Sequence, residues 1–122
     1  MLMNKKILIV DDDPRNIFAL KLTLKARGYA VESCTMAQEA LEILKSGSSY
    51  IVLMDMMMPG IDGYEAVRMI RNTPEIKQVP VIAVTAQAMP EDRQKCLEAG
   101  ADDYVSKPID VDLLIMAIEK LS

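Results

Sequence analysis

The sequence predicts an α/β domain of the doubly wound type, in which helices cover both faces of a parallel sheet. Short apolar segments alternate with helical patterns five times along the 122 residues. The segments are continuous runs of Val, Ile and Leu, as in strands that are buried on both faces. Parallel strands need crossover helices, and the helical patterns supply them. A chain of this length fits one domain, so we expect residues 1–122 to form a single domain.

The first strand and helix have clear boundaries. Lys6 to Val10 is an apolar strand that runs into three consecutive acids. Pro14 is predicted to begin the helix with Asp13 as its N-cap, and Gly28 is predicted to end it. The apolar side of this helix has residues at helical spacing: Ile17, Leu20 and Leu24.

The second unit follows the same pattern. Ala30 to Cys34 is predicted to be a short strand. Thr35 and Gln38 are spaced as a capping box for a helix that ends at Gly47. The core side of that helix is predicted to comprise Ala37, Ala40, Leu41 and Leu44.

The third strand stops abruptly on a carboxylate. Ile51 to Met54 is a continuous apolar run, and Asp55 is its last residue before a Pro-Gly turn. Asp62 and Glu65 then repeat the capping-box spacing for a helix that ends before Pro74. Three consecutive methionines follow Asp55, and we expect them to serve as adaptable packing, with part of the run exposed in the loop.

The last two strands and helices complete the pattern. A strand over 79–84 ends on Thr85, and a helix over 90–99 begins at a proline. A short strand at 104–105 precedes a final helix that is capped by Asp110. The apolar side of this last helix is predicted to contain Leu113, Leu114, Ala117, Ile118 and Leu121.

Composition excludes several classes of function. The net charge of −4 and the pI of about 4.8 argue against a nucleic-acid surface, which needs clustered Lys and Arg. The sequence has no apolar run of the roughly 20 residues that would cross a bilayer, and its start leads into a strand rather than a signal peptide. We therefore expect a cytoplasmic protein without membrane insertion.

The residues available for chemistry are limited. Cys34 and Cys96 lack the spacing of a zinc site, so we expect free buried thiols. The chain has no His, which removes the usual general base and the commonest transition-metal ligand. Chemistry must therefore use carboxylates, Lys, hydroxyl groups or a hard metal ion.

Polar residues collect where the predicted strands end. They are Asp11, Asp12, Asp55, Thr85 and Lys107. The carboxyl ends of parallel strands lie at one edge of the sheet, where open α/β sheets bind ligands. Taken singly, Asp55 could simply end its strand and Asp11 could be an ordinary loop acid; the collection of all five favours a site.

The charges predict a bound cation. Two carboxylates about 4 Å apart repel each other by roughly 4 kcal/mol at an effective dielectric constant of about 20. Three carboxylates without His or thiolate favour Mg²⁺, with Mn²⁺ or Ca²⁺ as alternatives. With Lys107 and Thr85 binding the oxygens of a phosphoryl group, Asp55 could attack it and form an aspartyl phosphate.

Four motifs together resemble a known family. They are Val-Asp-Asp-Asp at 10–13, Leu-Met-Asp-Met-Met-Met-Pro-Gly-Ile-Asp-Gly at 53–63, Val-Thr-Ala at 84–86 and Tyr-Val-Ser-Lys-Pro at 104–108. In order and spacing these motifs resemble the receiver domain of two-component response regulators, over nearly the whole chain. The resemblance implies a flavodoxin-like (βα)5 fold with strand order 2-1-3-4-5.

The resemblance also implies a role for each motif residue. Asp55 corresponds to the phosphoacceptor, Asp12 to a direct Mg²⁺ ligand and Asp11 to a ligand through water, with the backbone carbonyl of Met57 as a further ligand. Lys107 corresponds to the ammonium that contacts the phosphate, before a cis peptide bond to proline.

Two further positions belong to the switch in this family. Thr85 corresponds to the switch hydroxyl, and Tyr104 to the aromatic residue that turns inward when that hydroxyl moves to the phosphoryl group. Tyr104 could instead be an ordinary edge-strand aromatic residue.

The chain departs from the family pattern where dephosphorylation is modulated. The positions two after the acceptor and two after the switch Thr are Met57 and Gln87. A Met side chain cannot orient an attacking water, although the Gln87 amide could. We expect the aspartyl phosphate to last longer than seconds. Ala86 leaves room for the phosphoryl group, and a bulky residue there should slow phosphorylation. Tyr50 replaces a frequent acid, at a position outside the chemistry.

The function expected from the resemblance is a signalling switch rather than an enzyme that turns over a substrate. It would take its phosphoryl group from a histidine kinase or a histidine phosphotransfer protein. It would then bind a downstream protein through the face formed by helix 90–99, strand 103–106 and helix 111–121. A receiver that only docks, and a flavodoxin-like cofactor binder, are the alternatives; the acidic first loop disfavours a flavin phosphate.

The sequence does not contain an output segment after Ser122. We therefore expect either a stand-alone regulator or a receiver taken from a longer protein. The segment over 13–20 resembles receivers that are attached to hybrid histidine kinases, which favours the second case slightly.

Overall fold

The computed structural model describes residues 5–86 and 89–122. Strands and helices alternate along this part of the chain, as predicted. The strands are β1 (Lys6–Val10), β2 (Val31–Cys34), β3 (Tyr50–Asp55), β4 (Val81–Thr85) and β5 (Asp103–Ser106). The helices are α1 (Pro14–Ala26), α2 (Ala37–Leu44), α3 (Gly63–Arg71), α4 (Pro90–Ala99) and α5 (Val111–Leu121).

The strands form one parallel sheet in the order β2-β1-β3-β4-β5. The predicted fold class is therefore confirmed, as is the strand order that the resemblance implied. In the strand register, Val10 pairs with Met54 and Asp55 pairs with Val84. The first, third and fourth strands thus end at nearly the same level, and the residues that follow them meet at one edge.

Successive side chains of each strand point to two different apolar layers. In β3, Val52 and Met54 belong to the layer that α2, α3 and α4 cover. Ile51 and Leu53 belong to the layer that α1 and α5 cover. All four side chains are at most 1% exposed. Since both faces of the strand are buried, it needs no alternating polar residues, which explains its continuous apolar sequence.

Acidic N-caps begin three of the helices as predicted. Asp13, Asp62 and Asp110 each accept a hydrogen bond from a backbone N–H in the first turn of the helix that follows. These carboxylates satisfy amides that have no partner inside the helix.

The predicted capping box of the second helix is wrong. Met36 occupies the N-cap position of α2 and makes no side-chain capping hydrogen bond. Because the helix starts at Ala37, its third residue is Glu39 rather than Gln38. The Glu39 carboxylate instead accepts long, 3.4 Å hydrogen bonds from the backbone and hydroxyl of Thr35.

The fourth strand is shorter than predicted at its start. It begins at Val81 rather than at Val79, because Pro80 has no N–H to donate to the sheet. The predicted buried, unpaired state of Cys34 and Cys96 is confirmed. Among the described residues, no helix has the length and apolar character needed to cross a membrane.

Candidate functional site

Three carboxylates meet at the carboxyl edge of the sheet. Asp11 directly follows β1, and Asp55 ends the neighbouring strand β3; each is only 4% exposed. Asp12 is exposed beside them. One oxygen of each of the three carboxylates lies within 4.8 Å of the others. The fold thus brings together the three acids that the sequence singled out.

The buried position of Asp11 makes its carboxyl harder to ionise. Burial raises the pKa of its carboxyl above the usual value, and the negative charge of Asp55 raises it further. The backbone N–H of Asp13, which donates to Asp11 Oδ1 at 2.8 Å, acts in the opposite direction, as do Lys107 and the Asn16 side chain. A bound cation would stabilise the ionised form of this carboxyl.

Asp55 is held by the loop that follows it. Its Oδ1 accepts a hydrogen bond from the backbone N–H of Met57 at 3.0 Å. The Met57 side chain is 53% exposed, whereas the methionines on either side, Met56 and Met58, are buried. The three methionines therefore divide between packing and surface, as expected.

Gly63 allows this loop to close on the strand. It is the first residue of α3 and is buried, and its N–H donates to the carbonyl oxygen of Met56 at 3.3 Å. A Cβ atom at this position would collide with the backbone of Met56 and Asp55. Gly63 was not among the site residues predicted from the sequence, although the motif has a glycine eight residues after the central acid.

Lys107 reaches the same site from the other side. Its Nζ lies 3.4 Å from Asp55 Oδ1, and its side chain is 28% exposed. The backbone N–H of Lys107 donates to the carbonyl oxygen of Thr85 at 2.7 Å, which joins the ends of β4 and β5. The peptide bond between Lys107 and Pro108 is cis, in agreement with the resemblance.

The remaining predicted residues lie along β4 and β5. Thr85 is fully buried at the end of β4, and Ala86 after it is exposed. Gln87 lies outside the described residues. Tyr104 pairs with Ala83 across the two strands and is half-buried, with the Arg93 guanidinium of α4 at 5.7 Å from the centre of its ring.

A cavity of about 320 Å³ opens beside these charged groups. Asp11, Asp55 and Lys107 line it, together with Asn16 and apolar residues of α1 and of the segment after β5. Asn16 could not be predicted as a site residue from the sequence, because an Asn in the first turn of a helix has no distinctive spacing.

The donor set suits a hard metal ion. It consists of carboxylate oxygens, without imidazole or thiolate, and Mg²⁺ prefers such ligands while retaining several waters. An ammonium group beside the carboxylates can bind an oxyanion that the metal ion shares.

Fold and site together define a doubly wound α/β domain with an acidic, metal-compatible site at the carboxyl edge of its sheet. The family model described as the response regulator receiver domain matches residues 7–119, and the chain belongs to this family. The membership of this family that the four motifs predicted is confirmed.

Two curated relatives are longer proteins. The chain is 42% identical over 108 residues to a protein from Vibrio cholerae named probable cyclic di-GMP phosphodiesterase, a match that covers 88% of this chain and 24% of that protein. It is 39% identical over 108 residues to the signal transduction histidine-protein kinase BarA of Escherichia coli, covering 88% of this chain and 12% of the kinase. The chain therefore spans only a small part of the length of either relative.

A solved structure resembles the chain over its whole length. It is the receiver domain of a sensor histidine kinase from Pseudomonas aeruginosa, with a magnesium ion coordinated in its active-site cleft. The two are 34% identical with a TM-score of 0.85, and the match covers 98% of each chain.

Proposed function

We propose that residues 1–122 form one receiver domain that accepts a phosphoryl group on Asp55 in a Mg²⁺-dependent reaction and thereby changes its binding to a partner. The observation that carries this proposal is the meeting of Asp55 with two further carboxylates and with the Lys107 ammonium. A receiver that serves only as a docking module is expected to lack one of the three carboxylates or the lysine. All four groups are present here, which disfavours that alternative.

Each residue has a role in the proposed reaction. A carboxylate oxygen of Asp55 attacks phosphorus, and the bond from phosphorus to the donor's histidine nitrogen breaks. Lys107 binds a phosphoryl oxygen as negative charge develops. Asp11, Asp12, Asp55 and the Met57 carbonyl would hold the metal ion, which neutralises phosphoryl charge when bound; Mn²⁺ would serve in its place.

Thr85 and Tyr104 are the proposed switch residues. Thr85 is buried where β4 meets the site, so a movement of its hydroxyl towards the phosphoryl group would disturb the packing below it. Tyr104 lies on the neighbouring strand β5, two residues before Ser106, which is the partner of Thr85 in the ladder. A change in one side chain can therefore alter the space available to the other.

We infer that the phosphodonor is a histidine kinase or a histidine phosphotransfer protein. The relative from Escherichia coli and the neighbour from Pseudomonas aeruginosa are histidine kinases by name, which supports this inference. The face formed by α4, β5 and α5 is the proposed site for a downstream protein. It exposes Leu97, Leu113 and Met116, which are apolar side chains that a partner could cover. Leu113 has the spacing of a core residue in α5, but that prediction is wrong, because the buried side of the helix is formed by Leu114, Ala117 and Ile118.

Intact-mass spectrometry after incubation with acetyl phosphate and Mg²⁺ tests the proposal. The native chain should gain the mass of one phosphoryl group, and Asp55→Asn should gain none. Omission of Mg²⁺ should prevent the gain. A native chain that stays unmodified, or an Asp55→Asn chain that is modified equally, would refute the proposed acceptor and leave a docking module as the better reading.

A further inference from the structure

Helix α4 is attached to the domain unevenly. Its two buried residues, Cys96 and Ala99, both lie in its second half. In its first turn, Pro90 and Glu91 are exposed, and the N-cap residue Met89 makes no side-chain hydrogen bond to the helix. The buried apolar contacts of α4 therefore hold its carboxyl-terminal end.

Arg71, the last residue of α3, adds a polar attachment to that same end. Its Nε donates to the carbonyl oxygen of Gly100, the C-cap residue of α4, at 2.9 Å. Its Nη1 donates to the carbonyl oxygens of Lys77 and Val79 at 2.9 and 2.6 Å. One guanidinium thus joins the end of α3, the segment before β4 and the end of α4.

Asp102 extends the attachment to the sheet. Its Oδ2 lies 3.0 Å from Arg71 Nη2 and also accepts a hydrogen bond from the backbone N–H of Val81 at 2.9 Å. The backbone N–H of Asp102 donates in turn to the carbonyl oxygen of Val81 at 2.8 Å. Arg71 is therefore connected through one carboxylate to the first residue of β4.

The position of Gly100 requires a glycine, both for its backbone conformation and because no side chain would fit there. Its φ of +117° lies in the left-handed region, which glycine adopts readily. A Cβ atom there would lie 2.8 Å from the Cγ of Arg71. The arginine side chain therefore packs directly against the turn that ends α4.

The chemistry of the attachment requires arginine. An exposed ion pair alone contributes little to stability. Arg71, however, is 22% exposed and uses its rigid fork of donors to satisfy three carbonyl oxygens and one carboxylate. Lysine has one nitrogen and cannot reach four acceptors that lie in different directions.

The amino-terminal half of α4 makes a weaker contact with the sheet. Arg93 lies with its guanidinium carbon 5.7 Å from the centre of the Tyr104 ring. Arg93 is exposed, and a cation–π contact at an exposed site is weak. This half of the helix is also the one nearer in sequence to Thr85.

We propose that Arg71, together with Asp102 and Gly100, is a fixed pivot for α4, so that a change at the site moves the amino-terminal half of the helix while its carboxyl-terminal end stays in place. The inference rests on the proposed function for the cause of the movement. The pivot itself is a property of the resting domain and can be tested without any phosphodonor.

Amide hydrogen exchange followed by mass spectrometry tests the pivot in the resting chain. Arg71→Lys should raise exchange in the segment 96–103 by about tenfold and change the segment 89–95 by less than about twofold. Arg68→Lys is the matched control, because Arg68 is an exposed residue in the same last turn of α3. Equal exchange in the two variants would overturn the pivot.

A milder variant covers the case in which Arg71→Lys unfolds. Asp102→Asn keeps an oxygen that can accept from Arg71 and Val81 but removes the negative charge. Exchange in Asp102→Asn should rise above that of the native chain by about threefold in the segment 96–103 and should change by less than about twofold in 89–95. A rise spread evenly over α4 would contradict an attachment at one end.

A second measurement adds acetyl phosphate and Mg²⁺ to the full chain, with phosphorylation followed by intact mass. In the native chain the change in exchange on phosphorylation should be confined within α4 to 89–95, and in Arg71→Lys it should extend to 96–103. A chain that takes up no phosphoryl group would refute the proposed function and leave the resting-state result standing. A phosphorylated chain with equal changes in both halves of α4 would overturn the pivot alone.

Discussion

The ammonium of Lys107 lies 3.4 Å from Oδ1 of Asp55, although the two residues are 52 positions apart in sequence. Closely paired charges usually approach to about 2.7–2.9 Å. The wider separation leaves the ammonium with donors that an incoming phosphoryl oxygen can use. Lys107 therefore lies beside the proposed nucleophile without forming a close ion pair with it.

Removal of this ammonium should slow phosphorylation. We expect Lys107→Met to lower the rate of modification by acetyl phosphate about a hundredfold, because charge that develops on the phosphoryl oxygens loses its partner. A time course of intact mass measures the rate. Lys120→Met, an exposed lysine in the last turn of α5, is the control and should react like the native chain. Equal rates for the two variants would remove Lys107 from the reaction.

Neutralising Asp11 should stabilise the metal-free domain at neutral pH. Since burial raises the pKa of this carboxyl, its ionised form is less favourable in the folded chain than in the unfolded one. We expect Asp11→Asn to raise the Tm by about 2–4 °C at pH 7 without metal. The advantage should shrink as the pH falls through the raised pKa of the folded chain, and it should vanish below 3.8, the ordinary pKa of the group, where the Asp11 carboxyl is protonated in both the folded and the unfolded state.

Thermal unfolding followed by circular dichroism measures this difference over a series of pH values. Asp12→Asn is the matched control, since Asp12 is exposed and should give a smaller rise. A fall in Tm for Asp11→Asn at neutral pH would mean that the hydrogen bond from Asp13 outweighs the effect of burial.

The same raised pKa predicts a pH-dependent affinity for Mg²⁺. Binding requires the ionised carboxylate, so protonation of Asp11 competes with the metal ion as the solution is acidified. We expect the affinity measured by titration calorimetry to fall as the pH is lowered from neutrality towards 3.8, the ordinary pKa of this group. The heat of binding should also depend on the ionisation heat of the buffer, because protons are released. Constant affinity over this range would argue against Asp11 as part of the metal site.

Gly63 should be intolerant of any side chain. We expect Gly63→Ala to destabilise the domain by about 2 kcal/mol or more, because the added carbon meets the backbone of Met56 and Asp55. Denaturant unfolding measures the loss. The displaced strand end should also slow phosphorylation of the folded fraction.

Gly47→Ala separates that effect from backbone strain. Gly47 has a φ of +96°, and a Cβ atom there would enter open space. The variant should lose about 1 kcal/mol through strain and keep its rate of phosphorylation. If both variants slowed phosphorylation alike, the close approach of Gly63 to Asp55 would not be the cause.

The aspartyl phosphate should hydrolyse slowly. The exposed Met57 side chain lies two residues after the acceptor and has no group that can orient an attacking water. We expect a lifetime longer than seconds in a phosphate-release assay, and a shorter lifetime for Met57→Asn. Met36→Asn is the control, because Met36 is another exposed methionine and follows β2, which does not adjoin the strand of the acceptor. Loss of the phosphoryl group from the native chain within a few seconds would contradict this expectation.

The sequence alone determined the fold class and the edge of the sheet where the site lies. Continuous apolar strands such as Ile51 to Met54 report burial on both faces, and helix patterns between them require parallel strands. Parallel strands present all their carboxyl ends at one edge, so the acids and Lys107 could be assigned to a common site from strand ends alone. The strand order came from the family resemblance, because periodicity does not say which strands are neighbours.

Only the tertiary structure decided which groups touch. Asp11 is buried and Asp12 is exposed although they are adjacent in sequence, and the Asp11 carboxylate accepts a hydrogen bond from the backbone N–H of Asp13. The predicted capping box of α2 was wrong because the helix starts one residue later than expected, which puts Met36 instead of Thr35 at the N-cap position. Gly63 against Met56 and Arg71 against Gly100 are contacts between separate elements, and their distances depend on how helices pack on the sheet. Local sequence patterns specify elements and their ends, whereas the ionisation of Asp11 and the anchoring of α4 arise from neighbours brought together by folding.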